Sequence, residues 1–366
     1  MVCMMTKVGL ALIISISLFT FLSCSPSSFQ ETQDQVILIS SLKNPWGMAF
    51  IDHNKTEMLI TQKSGELMLF NTGSHHLVEI KGVPEVSNIG QGGLLDVDYD
   101  DGFVYLTYSA EDQQGLGYAT HVARARLNKD LYLLEDLEVL RVIEPFIGGG
   151  AHFGSRVLVV EDYIFVTTGD RGSKDFSGDH PSQDTSNELG SVLRLYKDGS
   201  VPQDNPFVGI EGFVDSIYTY GHRNVQGIVY YDGSVYISEH GEQDGDMIHR
   251  LVGGKNYGWP IVHYGCTYIL GQPIGGFAHQ RDDIQDPIHY WECGSGGFPP
   301  SGMDVFEHRL YVGTLGGSHL GEFEWSGEGL VQTRRFVEGE RVRDVKSFQE
   351  GLYVITDSGK LIKIIV

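Results

Sequence analysis

Seven residues with chemistry to offer share one place in a recurring pattern. Gln91, His152, Arg223, Asn224, Gln226, Arg341 and Arg343 all stand at the approach to a short run of alternating apolar residues. A histidine with a pKa of about 6.5 can take up and return a proton near neutral pH, which suits it to general base work. A guanidinium forks onto a carboxylate or phosphate through two parallel hydrogen bonds, and arginines that face one another need an anion between them. Gathered in one place, these side chains would make a pocket for an anionic ligand with a base beside it. The chain has 26 Lys+Arg against 48 Asp+Glu, a formal net charge of −22, so such a cluster would run against the overall field.

Whether they gather depends on the elements that carry them. From residue 40 onward helical periodicity is almost absent. Six times, a Gly or other small residue leads into an alternating strand, a tight turn and a second strand. The copies read NPWGMAF (44–50) before MLITQKSGELMLF, QGGLLDV (91–97) before FVYLTYS, and HFGSRVL (152–158) before YIFVTTGDRG. They continue as RNVQGIV (223–229) before SVYISEHG, PSGMDV (300–305) before RLYVGTLGG, and RVRDVK (341–346) before GLYVITDSGKLIKI. Aligned at Gly47, Gly93, Gly154, Gly227, Gly302 and Asp344, they are 46, 61, 73, 75 and 42 residues apart. Repeats of this size built from short strands predict an all-β fold, a six-bladed β-propeller of four-stranded antiparallel blades. A run of unrelated hairpins in a sandwich is the competing reading. The wide middle spacings place insertions at 173–215 and 260–297. The innermost strands of a propeller all run the same way along the axis, so the approaches to them would meet on one face.

Composition narrows the function. With 41% hydrophobic residues among 366, the chain can build a core, and its 47 Gly with 18 Tyr and 18 Phe suit strands joined by tight turns. The acidic balance excludes nucleic acid as a partner. Residues Val8 to Leu22 form an apolar run behind Lys7, too short to span a bilayer and the right length for the centre of a signal peptide. Ser23 then precedes Cys24 and a Ser-rich stretch, which resembles a bacterial lipoprotein signal in which Cys24 becomes the lipidated first residue. Ordinary secretion, with Cys24 discarded or idle, is the alternative. Residues 1–23 are read as a signal peptide, 24–35 as a polar tether and 36–366 as one propeller domain. The mature chain would be periplasmic or extracellular and touch a membrane only through a lipid anchor at Cys24. Cys3 and Cys24 fall in the leader, which leaves Cys266 and Cys293. Outside the cytoplasm such a pair should oxidise to a disulfide, with two buried free thiols as the alternative.

Eight segments in order carry a resemblance: GQGGLLDV (90–97), HFGSR (152–156), QDTSNELGSVLRL (183–195), DNPF (204–207), YGHRNVQG (220–227), SEHGEQDGD (238–246), KNYGWP (255–260) and RVRDV (341–345). From about Leu42 to the C-terminus the chain resembles the soluble sugar dehydrogenases dependent on pyrroloquinoline quinone (PQQ). These form the glucose/sorbosone dehydrogenase family of six-bladed propellers, and the likeness is strongest to its aldose sugar dehydrogenase branch. The resemblance implies PQQ and Ca²⁺ as cofactors and an aldose sugar oxidised at its C1 hydroxyl to a lactone. Electrons would pass to an external acceptor, because no C-x-x-C-H haem motif is present.

The roles implied by the resemblance attach to particular residues. His152 stands where the family has its general base. Arg223 and Asn224 match the pair beside the reactive carbonyls, where Arg223 would stabilise developing charge. Arg341 and Arg343 match an R-x-R pair suited to the three carboxylates of PQQ. Gln91 matches a polar contact to the cofactor, and Thr356 in YVITD a further one. Gly241 and Glu242 match the two backbone carbonyls that ligate Ca²⁺, and the Glu242 carboxylate either joins the metal or faces solvent. Asp246 and Tyr257 suggest a second, structural calcium, although the family's Asp-Glu reads Asp246-Met247 here. A lysine that reaches the cofactor in the glucose-oxidising branch has no counterpart after SGM (301–303), near Glu307. The residue before the base, acidic in that branch, is Ala151. The missing lysine points toward broad aldose use, with specificity in loops 173–190 and 262–298. The turn GGSH (316–319) is given no role. Two other functions compete: a calcium-dependent propeller hydrolase or lactonase, which needs side-chain carboxylates or Asn along the axis, and a non-enzymatic binding module.

Overall fold

The recurring runs are rich in Val, Ile, Leu, Tyr and Thr, whose side chains pack well on a pleated surface. In the computed structural model, which describes residues 35–51, 56–327, 329–349 and 351–366, they form six four-stranded antiparallel blades of a β-propeller. The expected signal peptide, Cys24 and all of the tether except Gln35 lie outside the described residues. The innermost strands are Pro45–Phe50, Leu94–Asp100, Gly154–Val160, Val225–Tyr231, Pro300–Phe306 and Val342–Phe348. The sixth blade takes its outer strand from the other end of the chain, because Gln35–Ile39 pairs antiparallel with Leu361–Ile365.

Apolar side chains fill the seams between blades. Leu59, Leu67, Leu94 and Leu106 close the first seam, and Met58, Ile60, Tyr353 and Ile355 the one between the last blade and the first. Fully burying a side chain of this size contributes about 1.5–3 kcal/mol, so the seams carry most of the stability. Hydroxyls stitch them further. Thr61, Thr107, Thr167 and Ser238, in the second strands of the first four blades, donate to the inner-strand carbonyls of Leu95, Ser155, Val225 and Ser301 on the next blade.

All six inner strands slip their register against the second strand near their start. Beyond that bulge, Met48, Val97, Val157, Ile228, Met303 and Val345 occupy equivalent positions. The residues before them therefore form one ring: Gly47, Asp96, Arg156, Gly227, Gly302 and Asp344. The sequence alignment at Gly93 and Gly154 is thus three and two residues out, because those two glycines stand before the shared bulge whereas Gly47, Gly227 and Gly302 stand at its end. Arg156 fills the axis. It lies 3.1 Å from Asp96 and 3.3 Å from Asp344, and donates to the carbonyls of Gln226 (2.7 Å) and Arg343 (3.1 Å). A Cβ on Gly47 or Gly302 would stand 2.3 or 1.8 Å from a carboxylate oxygen of Asp96 or Asp344, which explains glycine at those places.

The expected insertions are also revised. Segment 173–215 contains the third strand of its own blade, Ser191–Tyr196. Segment 260–297 holds a separate hairpin, Val262–Cys266 with Pro273–Gly275, and the outer strand His289–Tyr290 of the fourth blade. Cys266 and Cys293 are joined as a disulfide, with their Cα atoms 5.5 Å apart. Among the described residues no helix is long and apolar enough to cross a membrane.

Candidate active site

Two adjoining cavities of about 260 Å³ each open at the end of the propeller where the inner strands begin, and both are lined by Gln91 and His240. The first also takes in Asn224, Gln226, Arg341 and Arg343 above a floor of Trp46, Leu95 and Phe153. The second takes in His152, Arg223, Gly241, Glu242 and Asp246. All seven residues with which the sequence reading began therefore line one mouth.

His152 is held in place from several sides. Its backbone has φ +47°, and its N–H donates to Gln91 Oε1 at 2.8 Å. A Cβ on Gly169 would meet the His152 carbonyl oxygen at 2.2 Å, so only glycine allows that approach. Arg171 reaches back from the same turn to the carbonyls of Gly149 and Ala151. The imidazole Nδ1 lies 2.6 Å from Asp170 Oδ1, while Trp259 Nε1 donates to Asp170 Oδ2 at 2.8 Å. Burial alone would raise the Asp170 carboxyl, but hydrogen bonds from His152 and His180 outweigh it and hold the group well below the usual carboxylate range. An ionised carboxylate only accepts, so Nδ1 carries the ring proton and Nε2 keeps a free lone pair. Burial pushes His152 below its usual 6.5, against the opposing pull of Asp170. The ring is thus a neutral base near pH 7.

The arginines meet, but each already has a carboxylate. Arg223 Nη2 lies 2.6 Å from Glu242, which Lys174 also contacts at 2.6 Å. Arg341 and Arg343 share Asp357, each through contacts of 2.9 Å. The expectation that facing arginines must await a foreign anion is therefore too simple. Two features still call for one. Arg223 Nε is buried without a hydrogen-bond partner. Lys63, in the cavity with Arg341 and Arg343, donates only to the Gly90 carbonyl at 2.7 Å, and among the described residues it has no ion pair. The cavity is accordingly cationic and fits a polyanion.

The loop after the second strand of the fourth blade offers oxygen. Gly241 N donates to Asp246 Oδ1 at 3.0 Å, and a Cβ on Gly241 would stand 1.9 Å from the Asp244 carbonyl. Among the described residues neither the Gly241 nor the Glu242 carbonyl accepts a hydrogen bond, so both suit a hard cation. The Glu242 side chain is buried against Arg223 and Lys174, so it neither faces solvent nor is free for a metal. Burial raises the Asp246 carboxyl to about 6, and its oxygens accept from Gly241 N and Phe298 N. Tyr257 bonds the backbone of Arg250 and Val252 through its hydroxyl and stacks on His222, so its side chain is already engaged away from the cavity that Asp246 lines. Among the described residues no three His, Cys, Asp or Glu side chains form a metal cluster.

Two further positions differ from expectation. Thr356 is fully buried and meets Ser358 at 2.9 Å, outside the residues lining the mouth; its neighbour Asp357 is the one that grips the arginines. Glu307 sits in the turn after Phe306, at the far end of the inner strand. The sequence reading missed Lys63, Asp170, His240 and Trp259. The first three follow second strands, whose antiparallel return brings their ends to the same rim, and Trp259 lies in the loop after the third strand of the fourth blade. The residue after the partner of each inner strand's first residue is Lys63, Ser109, Gly169, His240, Leu315 or Asp357. Four of these six carry side chains into the site.

Residues 42–363 match the sequence model of the Glucose / Sorbosone dehydrogenase family. Aldose sugar dehydrogenase YliI of Escherichia coli is 31% identical over 90% of this chain and 91% of its own. The crystal structure of the soluble aldose sugar dehydrogenase from E. coli in its apo-form superposes with a TM-score of 0.82 at 31% identity, over 90% of this chain and 99% of that one. Quinoprotein glucose dehydrogenase B of Acinetobacter calcoaceticus is 29% identical over 68% of this chain and 58% of its own. The PQQ-bound form of an aldose sugar dehydrogenase from Streptomyces coelicolor shares the fold, with a TM-score of 0.74 at 24% identity over 90% and 95% of the chains.

Proposed function

The chain belongs to the glucose/sorbosone dehydrogenase family, and we propose that it is an exported, PQQ- and Ca²⁺-dependent enzyme that oxidises the C1 hydroxyl of aldoses to lactones. The observation that carries this reading is a neutral imidazole, its Nδ1 committed to a buried carboxylate, opening onto the same mouth as a cationic wall. Arg341, Arg343 and Gln91 would hold the cofactor's carboxylates and polar edge, Arg223 and Asn224 its reactive end, and the carbonyls of Gly241 and Glu242 the cation. PQQ with Ca²⁺, when bound, supplies a polarised two-electron hydride acceptor.

The chain's own part is to bind, orient and deprotonate. His152 Nε2 takes the proton of the C1 hydroxyl as the C–H bond at that carbon gives up its hydride. Asp170 holds the ring in the tautomer that leaves Nε2 free and stabilises the imidazolium that forms. Arg223 Nε, which lacks a partner, would donate to the oxygen on which negative charge grows. Glu242 fixes this guanidinium, so no reorganisation is needed during the reaction. The hydrolase alternative is disfavoured by the axis, where Arg156 already engages Asp96 and Asp344. An electron acceptor outside the chain and a lipid anchor at Cys24 complete the proposal.

The test is to add PQQ and Ca²⁺ to purified apo-protein and follow reduction of an artificial dye across a panel of aldoses. Turnover with several aldoses is expected. Absence of both turnover and a bound-cofactor spectrum would defeat the reading.

A further inference from the structure

Among the described residues, Lys63 is the one cation of the inner cavity without an ion-pair partner. Arg341 and Arg343 answer to Asp357, and Arg223, in the adjoining cavity, answers to Glu242, but Lys63 Nζ meets only a neutral carbonyl, Gly90 O, at 2.7 Å. It follows the second strand of the first blade, Glu57–Gln62, and so stands on the rim beside the sixth blade, which carries the two arginines. Its placement is built. The Lys63 carbonyl accepts from Leu94 N at 3.1 Å, and a Cβ on Gly93 would stand 2.1 Å from that carbonyl oxygen. Gly90, whose carbonyl holds the ammonium, has φ +57° and so close a contact to Gly150 that a Cβ there would meet its oxygen at 2.4 Å. The glycines of GQGG thus fix both ends of the lysine.

We infer that Lys63 is a binding residue for a carboxylate of the polyanionic ligand, supplying from the first blade the charge that the Arg341–Arg343–Asp357 group lacks. Two guanidiniums sharing one carboxylate carry a net charge of +1, which leaves a tricarboxylate poorly matched; Lys63 brings the wall to +2. An ammonium on a flexible stem can leave a neutral carbonyl for a charged oxygen without breaking an ion pair. Burial and the neighbouring Arg343 both lower its pKa, against an opposing pull from Asp357. This inference rests on the PQQ reading above.

Binding, not turnover, tests it. Apo-protein with saturating Ca²⁺ is titrated with PQQ by quenching of intrinsic fluorescence, for wild type, Lys63→Gln and Lys63→Arg, at several salt concentrations. Lys63→Gln is expected to raise Kd by about 10-fold or more and to flatten the salt dependence. Lys63→Arg should restore most of both, and apo-protein melting should be unchanged. As a check that needs no variant, reductive methylation of wild type read by mass spectrometry should show PQQ shielding Lys63. If wild type binds PQQ while Lys63→Gln binds equally well or Lys63 stays unshielded, the inference is overturned and the cofactor reading stands. If wild type does not bind PQQ at all, both fall together.

Discussion

The proton-transfer unit proposed for this site is a pair, His152 with Asp170, and its members have separable signatures. Replacing His152 by Ala should lower kcat by at least ~10² while PQQ remains bound, as read by the cofactor spectrum. Since burial places the His152 pKa below 6.5, the base form persists below neutrality, and the acid limb of kcat/KM should fall at a pH under 6.5. Asp170 is the largest influence acting to raise that pKa. Asp170→Asn should therefore lower kcat and also move the acid limb to lower pH. A purely structural role would leave the limb in place. Arg156 belongs to the same scale but to stability. Its guanidinium separates two buried carboxylates, and burial has already raised Asp96 to about 6. Arg156→Met should destabilise by roughly 3–5 kcal/mol in denaturant melts, the usual loss when one partner of a buried pair is removed. Part of that should return below pH 6, where the stranded carboxylates take up protons.

Among the elements, the hairpin Val262–Gly275 is the one expected to act on substrate choice. Tyr268 near its tip lines the same cavity as His152, and Gly296 and Gly297, shortly after Cys293, line the other side. The disulfide therefore joins two arms of one wall. Converting Cys266 and Cys293 together to Ser should lower stability by roughly 3–4 kcal/mol, the loop-closure value for a 27-residue separation. It should also raise the KM for aldoses more than it changes kcat, because the wall loosens while the His152–Asp170 pair, held on the third blade, does not.

For the whole molecule, histidine burial sets the response to acid. His121, His222, His263, His289 and His319 are all pushed below 6.5, chiefly by burial, and His263 reaches about 3. In the window from 6.5 down to their folded values, the unfolded chain binds protons that the native one refuses. Stability is thus fully present above 6.5 and lost as pH falls. Asp96, Asp98 and Asp246, raised by burial, act in the opposite sense near pH 4–6 but are fewer. Calorimetry should show Tm falling between pH 7 and pH 5; a constant or rising Tm would mean that the carboxylates dominate.

Much of this was legible from local pattern. Alternation and repeat spacing predict six blades, because strand period and turn chemistry are written residue by residue. The same spacing brings His152, Arg223, Arg341 and Arg343 to one rim, since parallel inner strands leave their approaches nowhere else to go. What the chain alone could not disclose is who pairs with whom. Asp96 and Arg156 hold the ring positions that glycine holds in three other blades, against an alignment by glycine, because Gly93 and Gly154 stand on the near side of the shared bulge. The return of the second strands set Asp170 behind His152 and Asp357 between the arginines, where Thr356 had been expected. The Glu242 carboxylate, read as either joining the metal or facing solvent, is instead the partner of Arg223 and Lys174, because a side chain buried beside two cations neutralises them whatever its sequence neighbours suggest. Strand identity is a local property; the balance of charge within a closed mouth exists only once distant segments share one low-dielectric space.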